Sequence, residues 1–440
     1  MCCGPLLGKI IAFTVPIMLM NALQLLYNAA DIVVVGRFEG EQAVAAVGAT
    51  SSLINLIVNV FIGLSVGINV CVGKYIGAKS DRDAEEATHT TAALGIISGI
   101  IVFAIGIVLA EPMLRLMATP EDILPLSLLY VRIYFIGAPA NLFYNFIAAV
   151  LRAKGDTKNP LYILTAAGAV NVALNFLFVS AFSMGVAGVA VATVISQYLS
   201  AVLIAVFASK SDGMCKLNIR EIRLYYDKVK DIIKIGLPSG IQGSVFSLSA
   251  MVIQSAINSF GSAAIAGNTA AGSIDTFSYI IFNAFSTTVV AFVAQNRGAG
   301  EVERVEKSVR ICLTSAIVTA IISGIAIYLL AEPLLQLYLP GETEAISYGI
   351  IRLKYICIPY FFLAAMDVMG GALRGLGSSV CPTVISMIGS CGIRIAWIYT
   401  VFYYFGTIDV LYLSFPLAWA ITFIALAVAY YRTKRLKLKN

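Results

Sequence analysis

Ala110-Glu111-Pro112 returns as Ala331-Glu332-Pro333 in the second half of the chain. Leu151-Arg152-Ala153-Lys154-Gly155 returns in the same way, as Leu373-Arg374-Gly375-Leu376-Gly377. Both repeated segments are flanked by long apolar runs. Self-similarity at nearly the same offset, 221 residues for the first pair (331 − 110) and 222 for the second (373 − 151), indicates that a structural unit occurs twice. The sequence therefore predicts two homologous halves.

The composition places these halves in a membrane. The 440 residues are 59% hydrophobic and 12% charged, whereas soluble domains carry about 25% charged residues. Apolar runs of about 20 residues, long enough to cross a bilayer, recur along the chain. We predict an all-α polytopic membrane protein with about twelve transmembrane helices in two homologous six-helix bundles. The runs fall near 10–35, 48–73, 88–110, 124–151, 160–182, 186–208, 232–258, 264–293, 307–330, 345–373, 380–404 and 408–431.

The longest polar stretch separates the two halves. We assign 1–212 to an N-terminal bundle, and 213–440 to a connector followed by a C-terminal bundle. Alternating cations and apolar residues predict an amphipathic helix over Met214–Lys234, on the inner membrane surface. Six spans per half make the repeats parallel, with a cleft between the bundles. That arrangement is typical of secondary transporters.

Most of the 30 Lys and Arg residues fall on one side of this topology. Cations are enriched in cytoplasmic loops, so both termini are predicted to be cytoplasmic. The net charge of +6 reflects the same asymmetry, and we therefore expect no nucleic-acid partner. The basic tail Lys434–Lys439 is expected to contact anionic lipid headgroups.

One motif in the first half resembles a hydrolase elbow. Gly63-Leu64-Ser65-Val66-Gly67 fits GxSxG, but a nucleophile elbow needs a strand–turn–helix context and a histidine partner. Here the motif lies in a predicted helix, and His89 is the only histidine. We therefore expect no enzyme, and we read Gly63 and Gly67 as small residues that allow close helix packing.

Ionisable groups inside spans are costly and are functional candidates by default. Asp31, Asp275 and Asp367 lie well inside predicted spans. Asp31 ends a polar stripe at helical spacing that also contains Gln24, Tyr27 and Asn28. Asp275 and Asp367 have two readings, a cation site or pairing with neighbouring side chains.

A second polar set comes from the fifth and sixth spans. Asn171 and Asn175 are one helical turn apart, and Thr193 lies in the next span. Together with Asp31 they would form a cage of oxygen atoms within the first half. The alternative is that these side chains only hydrogen-bond between helices. Apolar surroundings favour the protonated form of a carboxyl group, so Asp31 is a candidate for exchanging protons.

The joint order of several motifs resembles the bacterial MATE (multidrug and toxic compound extrusion) transporters, over nearly the full chain. The segments that carry the resemblance are Gln24 to Phe38, Gly236-Leu237-Pro238-Ser239-Gly240, Gln295-Asn296-Arg297-Gly298-Ala299-Gly300 and Ala372-Leu373-Arg374-Gly375-Leu376-Gly377. The resemblance implies export of cationic lipophilic compounds in exchange for protons or sodium ions. It also implies a multi-pass protein of the bacterial plasma (inner) membrane, with no cofactor besides the coupling ion.

The resemblance assigns roles to individual residues. The family's coupling network falls on Asp31, Gln24, Asn171, Asn175 and Thr193. A sodium ion, if it is the coupling ion, would bind at Asp31, Asn171, Asn175 and Thr193. Family members often carry aspartate where this chain has Asn175, and that difference weakens a sodium site. Tyr27, Asn28, Asp275 and Asp367 are the candidates for the substrate cleft. Lipid and small organic cations are the expected partners, and a monomer suffices.

A flippase for lipid-linked saccharides is the alternative. It needs a cationic cleft for pyrophosphate, and the predicted spans contain almost no Arg or Lys besides Arg394.

Overall fold

Helical structure occupies every predicted apolar run. The computed structural model describes residues 1–117, 119–211 and 213–437, and all regular structure in that part is helical. Ten of the described helices are long and apolar enough to cross a membrane, and two bent helix pairs bring the number to twelve. The predicted fold class is confirmed.

The first half begins with three helices of more than 30 residues each. They are followed by a bent pair, α4 and α5, and by two further spans. The bounds are α1 Leu6–Glu39, α2 Glu41–Gly77, α3 Asp81–Leu116, α4 Leu124–Ile136, α5 Ala138–Lys154, α6 Lys158–Phe176 and α7 Gly185–Lys210. A short π-helical turn, Leu177–Ala181, extends α6.

The second half repeats this order with more irregular helices. Its bounds are α8 Tyr226–Asn258, α9 Ser262–Gly298, α10 Val302–Leu329, α11 Ala331–Tyr338, α12 Thr343–Cys357, α13 Tyr360–Gly375, α14 Val380–Ser386, α15 Ile393–Trp397, α16 Tyr403–Phe405 and α17 Ile408–Lys437. Two π-helical turns, Met387–Gly392 and Ile398–Phe402, separate α14, α15 and α16.

Proline explains where two spans bend. The pair α4 and α5 bends by 47°, and α12 and α13 bend by 45°. Pro139 lies in the first turn of α5, and Pro359 precedes α13. A proline lacks the amide hydrogen and clashes with the preceding turn, so it begins a helix readily but interrupts a continuous one.

The chain forms two compact units, Leu19–Gly240 and Met1–Met18 with Ile241–Asn440. In this division α1 changes unit after Met18 and α8 changes unit after Gly240. The domain assignment of 1–212 and 213–440 stays a prediction from the sequence repeat. Its boundary residue, Asp212, and Lys439 of the basic tail lie outside the described residues.

In the unit Leu19–Gly240, α2 and α8 pack with their backbones in contact. A Cβ atom on Gly63 would lie 2.3 Å from the backbone nitrogen of Gly240, and one on Gly67 would lie 2.3 Å from the carbonyl oxygen of Ile232. Ser65 lies between them, in the middle of α2, so the GxSxG sequence is a helix contact and not an elbow. Both glycines act as the sequence predicts.

Gly67→Ala is expected to destabilise the protein by about 1–3 kcal/mol, because its methyl group forces two helices apart. Gly48→Ala is the matched control on the same helix, since no atom lies within 4 Å of its Cβ position. That control should leave stability unchanged or raise it by up to ~1 kcal/mol through helix propensity. Thermal unfolding in detergent compares the two variants. Equal melting temperatures would contradict the packing described.

The predicted connector helix is wrong over most of its length. Apart from a 3₁₀ turn at Ile219–Glu221, the chain is irregular up to Tyr225, and the helical remainder belongs to α8. The backbone amide of Asn218 donates to Nε2 of His89 (3.0 Å), and that of Tyr225 donates to the Thr90 hydroxyl (3.2 Å). These bonds to α3 satisfy backbone amides that a connector helix would satisfy internally.

In the other unit, the start of α1 packs on α9. The Thr14 and Thr288 hydroxyls hydrogen-bond at 2.8 Å, and the rings of Phe13 and Phe292 meet edge to face at 5.6 Å. Helix α9 also packs against α10, α12 and α13, so it lies at the centre of this unit.

Candidate functional site

Asp31 lies on α1 and is 7% exposed. Nδ2 of Asn175, on α6, donates a hydrogen bond to Oδ1 of Asp31 at 2.5 Å. Asn175 is fully buried. A carboxyl group enclosed by apolar helices is costly to charge, and the amide donor of Asn175 offsets part of that cost.

Asn171 and Thr193 continue this cluster. Nδ2 of Asn175 also reaches Oδ1 of Asn171 (3.3 Å), and Nδ2 of Asn171 donates to the Thr193 hydroxyl (3.4 Å). That hydroxyl lies in hydrogen-bonding range of Asp31 as well. The structure therefore brings together four of the residues singled out from the sequence. We call Asp31, Asn171, Asn175 and Thr193 the carboxyl cluster.

One acceptor in the carboxyl cluster has no partner. Oδ1 of Asn175 is buried and receives no hydrogen bond. A buried acceptor of this kind is costly unless it is satisfied. A protonated Asp31 or a bound cation would satisfy it, so the cluster fits the uptake of a positive charge beside the carboxyl group.

Sequence reasoning missed three residues next to the carboxyl cluster. The rings of Tyr130 and Tyr134, on α4, lie close enough to interact with the Asp31 charge. Tyr134 hydrogen-bonds to Gln197 of α7. A Cβ atom on Gly137 would lie 1.8 Å from Oε1 of Gln197, so only glycine allows this approach. The tyrosines belong to an apolar run without polar periodicity, and no sequence signal marks them.

The other members of the α1 stripe do not join the cluster. Gln24 and Asn28 are exposed, and neither side chain makes a hydrogen bond within the described part of the chain. The Tyr27 hydroxyl donates to the carbonyl oxygen of Thr165 (3.3 Å), and its ring fills the space that a Cβ atom of Gly168 would need. Tyr27 thus packs on α6, one helical turn from the cluster.

Asp275 is paired with an arginine. Nη2 and Nε of Arg352 lie 2.8 and 3.2 Å from Oδ2 of Asp275. Nη1 of Arg352 donates to Oδ1 of Asn268 at 2.5 Å, and the Tyr412 hydroxyl donates to the same oxygen at 3.0 Å. Of the two readings left open by the sequence, the geometry matches pairing with a neighbour.

Asp367, on α13, lies in a separate polar group. Nδ2 of Asn283 donates to Oδ2 of Asp367 at 3.1 Å and contacts the Tyr279 hydroxyl at 2.9 Å. The charge of Arg374 is close enough to interact with that of Asp367. Nη2 of Arg374 donates to Oε1 of Gln242 at 2.8 Å. Asp367 is therefore held by an amide and faces one cation.

These contacts correct the count of arginines inside the spans. The sequence predicts Arg394 inside a span, whereas Arg352 and Arg374 lie near the two ends of the apolar run 345–373. In the structure both belong to helices of a membrane-spanning pair, α12 and α13. Arg394, on α15, lies within the span Val380–Phe405 of the same unit.

The donor atoms of the carboxyl cluster are oxygens and amides. Among the described residues, no group of three or more His, Cys, Asp or Glu side chains is placed to hold a metal ion. One carboxylate with amide and hydroxyl oxygens suits a proton or a hard monovalent cation better than a transition metal.

Two homologous sets of membrane-spanning helices with buried carboxyl groups define a membrane transporter. A family model agrees, because MatE matches residues 16–177 and again 238–400. The chain belongs to the MatE family, whose members are transporters and not enzymes.

Named relatives and solved structures are similar along most of the chain. The probable multidrug resistance protein YpnP of Bacillus subtilis is 29% identical over 88% of this chain and 86% of its own length. The probable multidrug resistance protein NorM of Thermotoga maritima is 25% identical over 90% and 86%. The bent form of the Vibrio cholerae MATE transporter VcmN superimposes with a TM-score of 0.90 at 21% identity, covering 98% of each chain.

Proposed function

We propose that this protein is a secondary active antiporter that exports lipophilic organic cations in exchange for protons or sodium ions. Asp31 is the coupling residue in this proposal. The observation that carries it is the buried carboxyl group of Asp31 beside the unpartnered Oδ1 of Asn175. Uptake of a positive charge satisfies both groups at once.

Alternating access follows because the coupling ion and the organic cation compete for the negative charge of Asp31. When Asp31 is ionised, the carboxyl cluster favours a cation. When a coupling ion neutralises it, α1 can repack and the affinity for organic cations falls. Exchange requires that ion and drug each stabilise a different state, since equal binding to both states moves nothing. A membrane potential adds about 2.3 kcal/mol per charge for each 100 mV.

The composition of the carboxyl cluster favours the proton as the coupling ion. Asp31 is its single carboxylate, and Asn175 supplies an amide nitrogen to that carboxylate. Sodium ions prefer several oxygen ligands with more than one negative charge nearby. A single carboxyl group is enough to carry a proton.

Orientation and surroundings complete the proposal. We place the protein in the bacterial plasma (inner) membrane as a monomer. The distribution of Lys and Arg favours a cytoplasmic position of both termini. Two relatives are named for multidrug resistance. Those names favour small organic substrates and do not favour the lipid flippase.

The test uses the purified protein in liposomes loaded with a fluorescent lipophilic cation. Efflux is recorded under an imposed pH gradient, an imposed sodium gradient, or neither. Efflux driven by the pH gradient alone supports proton antiport. Efflux driven by the sodium gradient alone would identify sodium, bound by the oxygen atoms of the carboxyl cluster, as the coupling ion. Equal rates in all three conditions would refute the antiporter.

Asn175→Asp is expected to make the protein respond to sodium. The substitution puts a second carboxylate within hydrogen-bonding distance of Asp31, and two carboxylates at that distance must share a proton or a cation. Sodium at 100 mM should then raise the melting temperature of the variant by several degrees, with an apparent sodium affinity increased by about tenfold or more. Potassium chloride at the same ionic strength is the control. An identical response of wild type and variant to sodium would contradict the arrangement of the cluster.

A further inference from the structure

Arg394 lies near the middle of the span Val380–Phe405. At a rise of ~1.5 Å per residue it is about 20 Å from Val380 and about 16 Å from Phe405. An arginine side chain is too short to reach a lipid headgroup from this depth. The π-helical turns Met387–Gly392 and Ile398–Phe402 flank it, and such turns occur often at functional sites.

The contacts of Arg394 leave its charge without a counter-ion. Its guanidinium lies over the rings of Phe415 and Trp419, at 4.2 and 5.4 Å from their centroids. None of the ion pairs formed by described residues includes Arg394. The thiol of Cys391 is its titratable neighbour. Cation–π attraction offsets only part of what a guanidinium costs inside a bilayer.

The polar atoms of Arg394 are also unsatisfied. Its Nε is buried and donates no hydrogen bond. Within the described part of the chain the terminal nitrogens donate none either, and the side chain is partly accessible. A guanidinium presents a planar fork of donors that matches a carboxylate or a phosphate. This fork therefore points to an acceptor that the protein itself does not supply.

The two buried carboxylates described in the same unit each face another arginine. Asp275 is paired with Arg352, and the charge of Asp367 interacts with that of Arg374. Arg394 is left over. An ionisable residue inside a membrane is by default a candidate for a substrate pathway.

We propose that Arg394 binds the anionic group of a transported amphiphile, a carboxylate or a phosphate attached to a planar aromatic body. Phe415 and Trp419 hold the guanidinium in place, and Tyr360, 5.9 Å from Trp419 between ring centroids, extends the aromatic surface beside it. The inference rests on the proposed transport function and adds zwitterions and organic anions to its substrates.

The experiment compares riboflavin with riboflavin 5′-phosphate, which share one fluorescent ring system and differ in the anionic group. Binding to the full chain in lipid nanodiscs is followed by fluorescence quenching. Wild type should bind the phosphate about tenfold more tightly than riboflavin, because charge-assisted bidentate bonds are strong at low dielectric. Arg394→Gln should bring the two dissociation constants within about twofold. Arg310→Gln, at an exposed arginine on α10, is the control and should keep the tenfold preference.

Arg394→Lys is the second variant. It tests whether Arg394 binds the anionic group if Arg394→Gln does not yield a monodisperse protein. Lysine keeps the charge but lacks the fork, so the preference for the phosphate should fall at least threefold. Equal binding of both probes by wild type would overturn the inference. A preference for the phosphate as strong as that of wild type, in either Arg394 variant, would also overturn the inference.

Cation efflux by wild type, measured in parallel, separates this inference from the antiporter proposal. Phosphate preference without gradient-driven cation export refutes the antiporter alone. Cation export without phosphate preference refutes the Arg394 site alone.

Discussion

Asp31→Asn is expected to lower gradient-driven export by about 100-fold or more, to the level of protein-free liposomes. An amide cannot change its charge, so binding of the coupling ion can no longer favour one state over the other. Efflux of the fluorescent cation under a pH gradient measures this loss. The structure predicts that the variant still folds. The oxygen of the introduced amide can accept the hydrogen bond from Asn175 as the carboxylate of Asp31 does, and its nitrogen can donate to the unpartnered Oδ1 of Asn175.

The matched control is Glu39→Gln, the same acid-to-amide change at an exposed position at the end of α1. It should export at the wild-type rate. The melting temperature of Asp31→Asn should equal or exceed that of wild type, which separates a loss of coupling from a loss of structure. A wild-type export rate in Asp31→Asn would show that the coupling ion is carried elsewhere.

The helices of this protein could be predicted from sequence because each span must bury about 20 apolar residues and satisfy its own backbone. The spacing of Asn171 and Asn175 likewise placed both side chains on one face of α6, where they meet Asp31. Such local periodicity survives folding, because a helix has the same geometry in any context.

The sequence could not predict which side chains of different helices meet. Gln24 shares the helical face of Asp31, but it stays exposed, and the hydrogen bonds between α1 and α6 come from Tyr27 and Asp31. Arg352 lies near the end of an apolar run, and its position gave no sign that it faces Asp275. The prediction of a connector helix was wrong for a related reason. Backbone amides of this segment donate hydrogen bonds to His89 and Thr90, which are remote in sequence.

The largest effects on stability are expected at the pair of Asp275 and Arg352. Removing one partner of a buried ion pair costs about 3–5 kcal/mol, because the other charge is left in low dielectric. Asp275→Asn should be the more harmful of the two single changes. Arg352 cannot lose its proton, whereas Asp275 in Arg352→Gln can take one up and become neutral. Chemical unfolding in detergent measures both variants.

The double variant, Asp275→Asn with Arg352→Gln, tests whether the cost comes from the unpaired charge. It carries no charge and keeps amides that can bond to each other and to Asn268, so it should be more stable than Asp275→Asn alone. Glu303→Gln is the control, because Glu303 and Lys307 form an exposed pair at 3.6 Å that contributes under ~0.5 kcal/mol. Single-variant losses that simply add in the double variant would mean that the two side chains stabilise the protein independently. In that case the ion pair between α9 and α12 would not itself stabilise the protein.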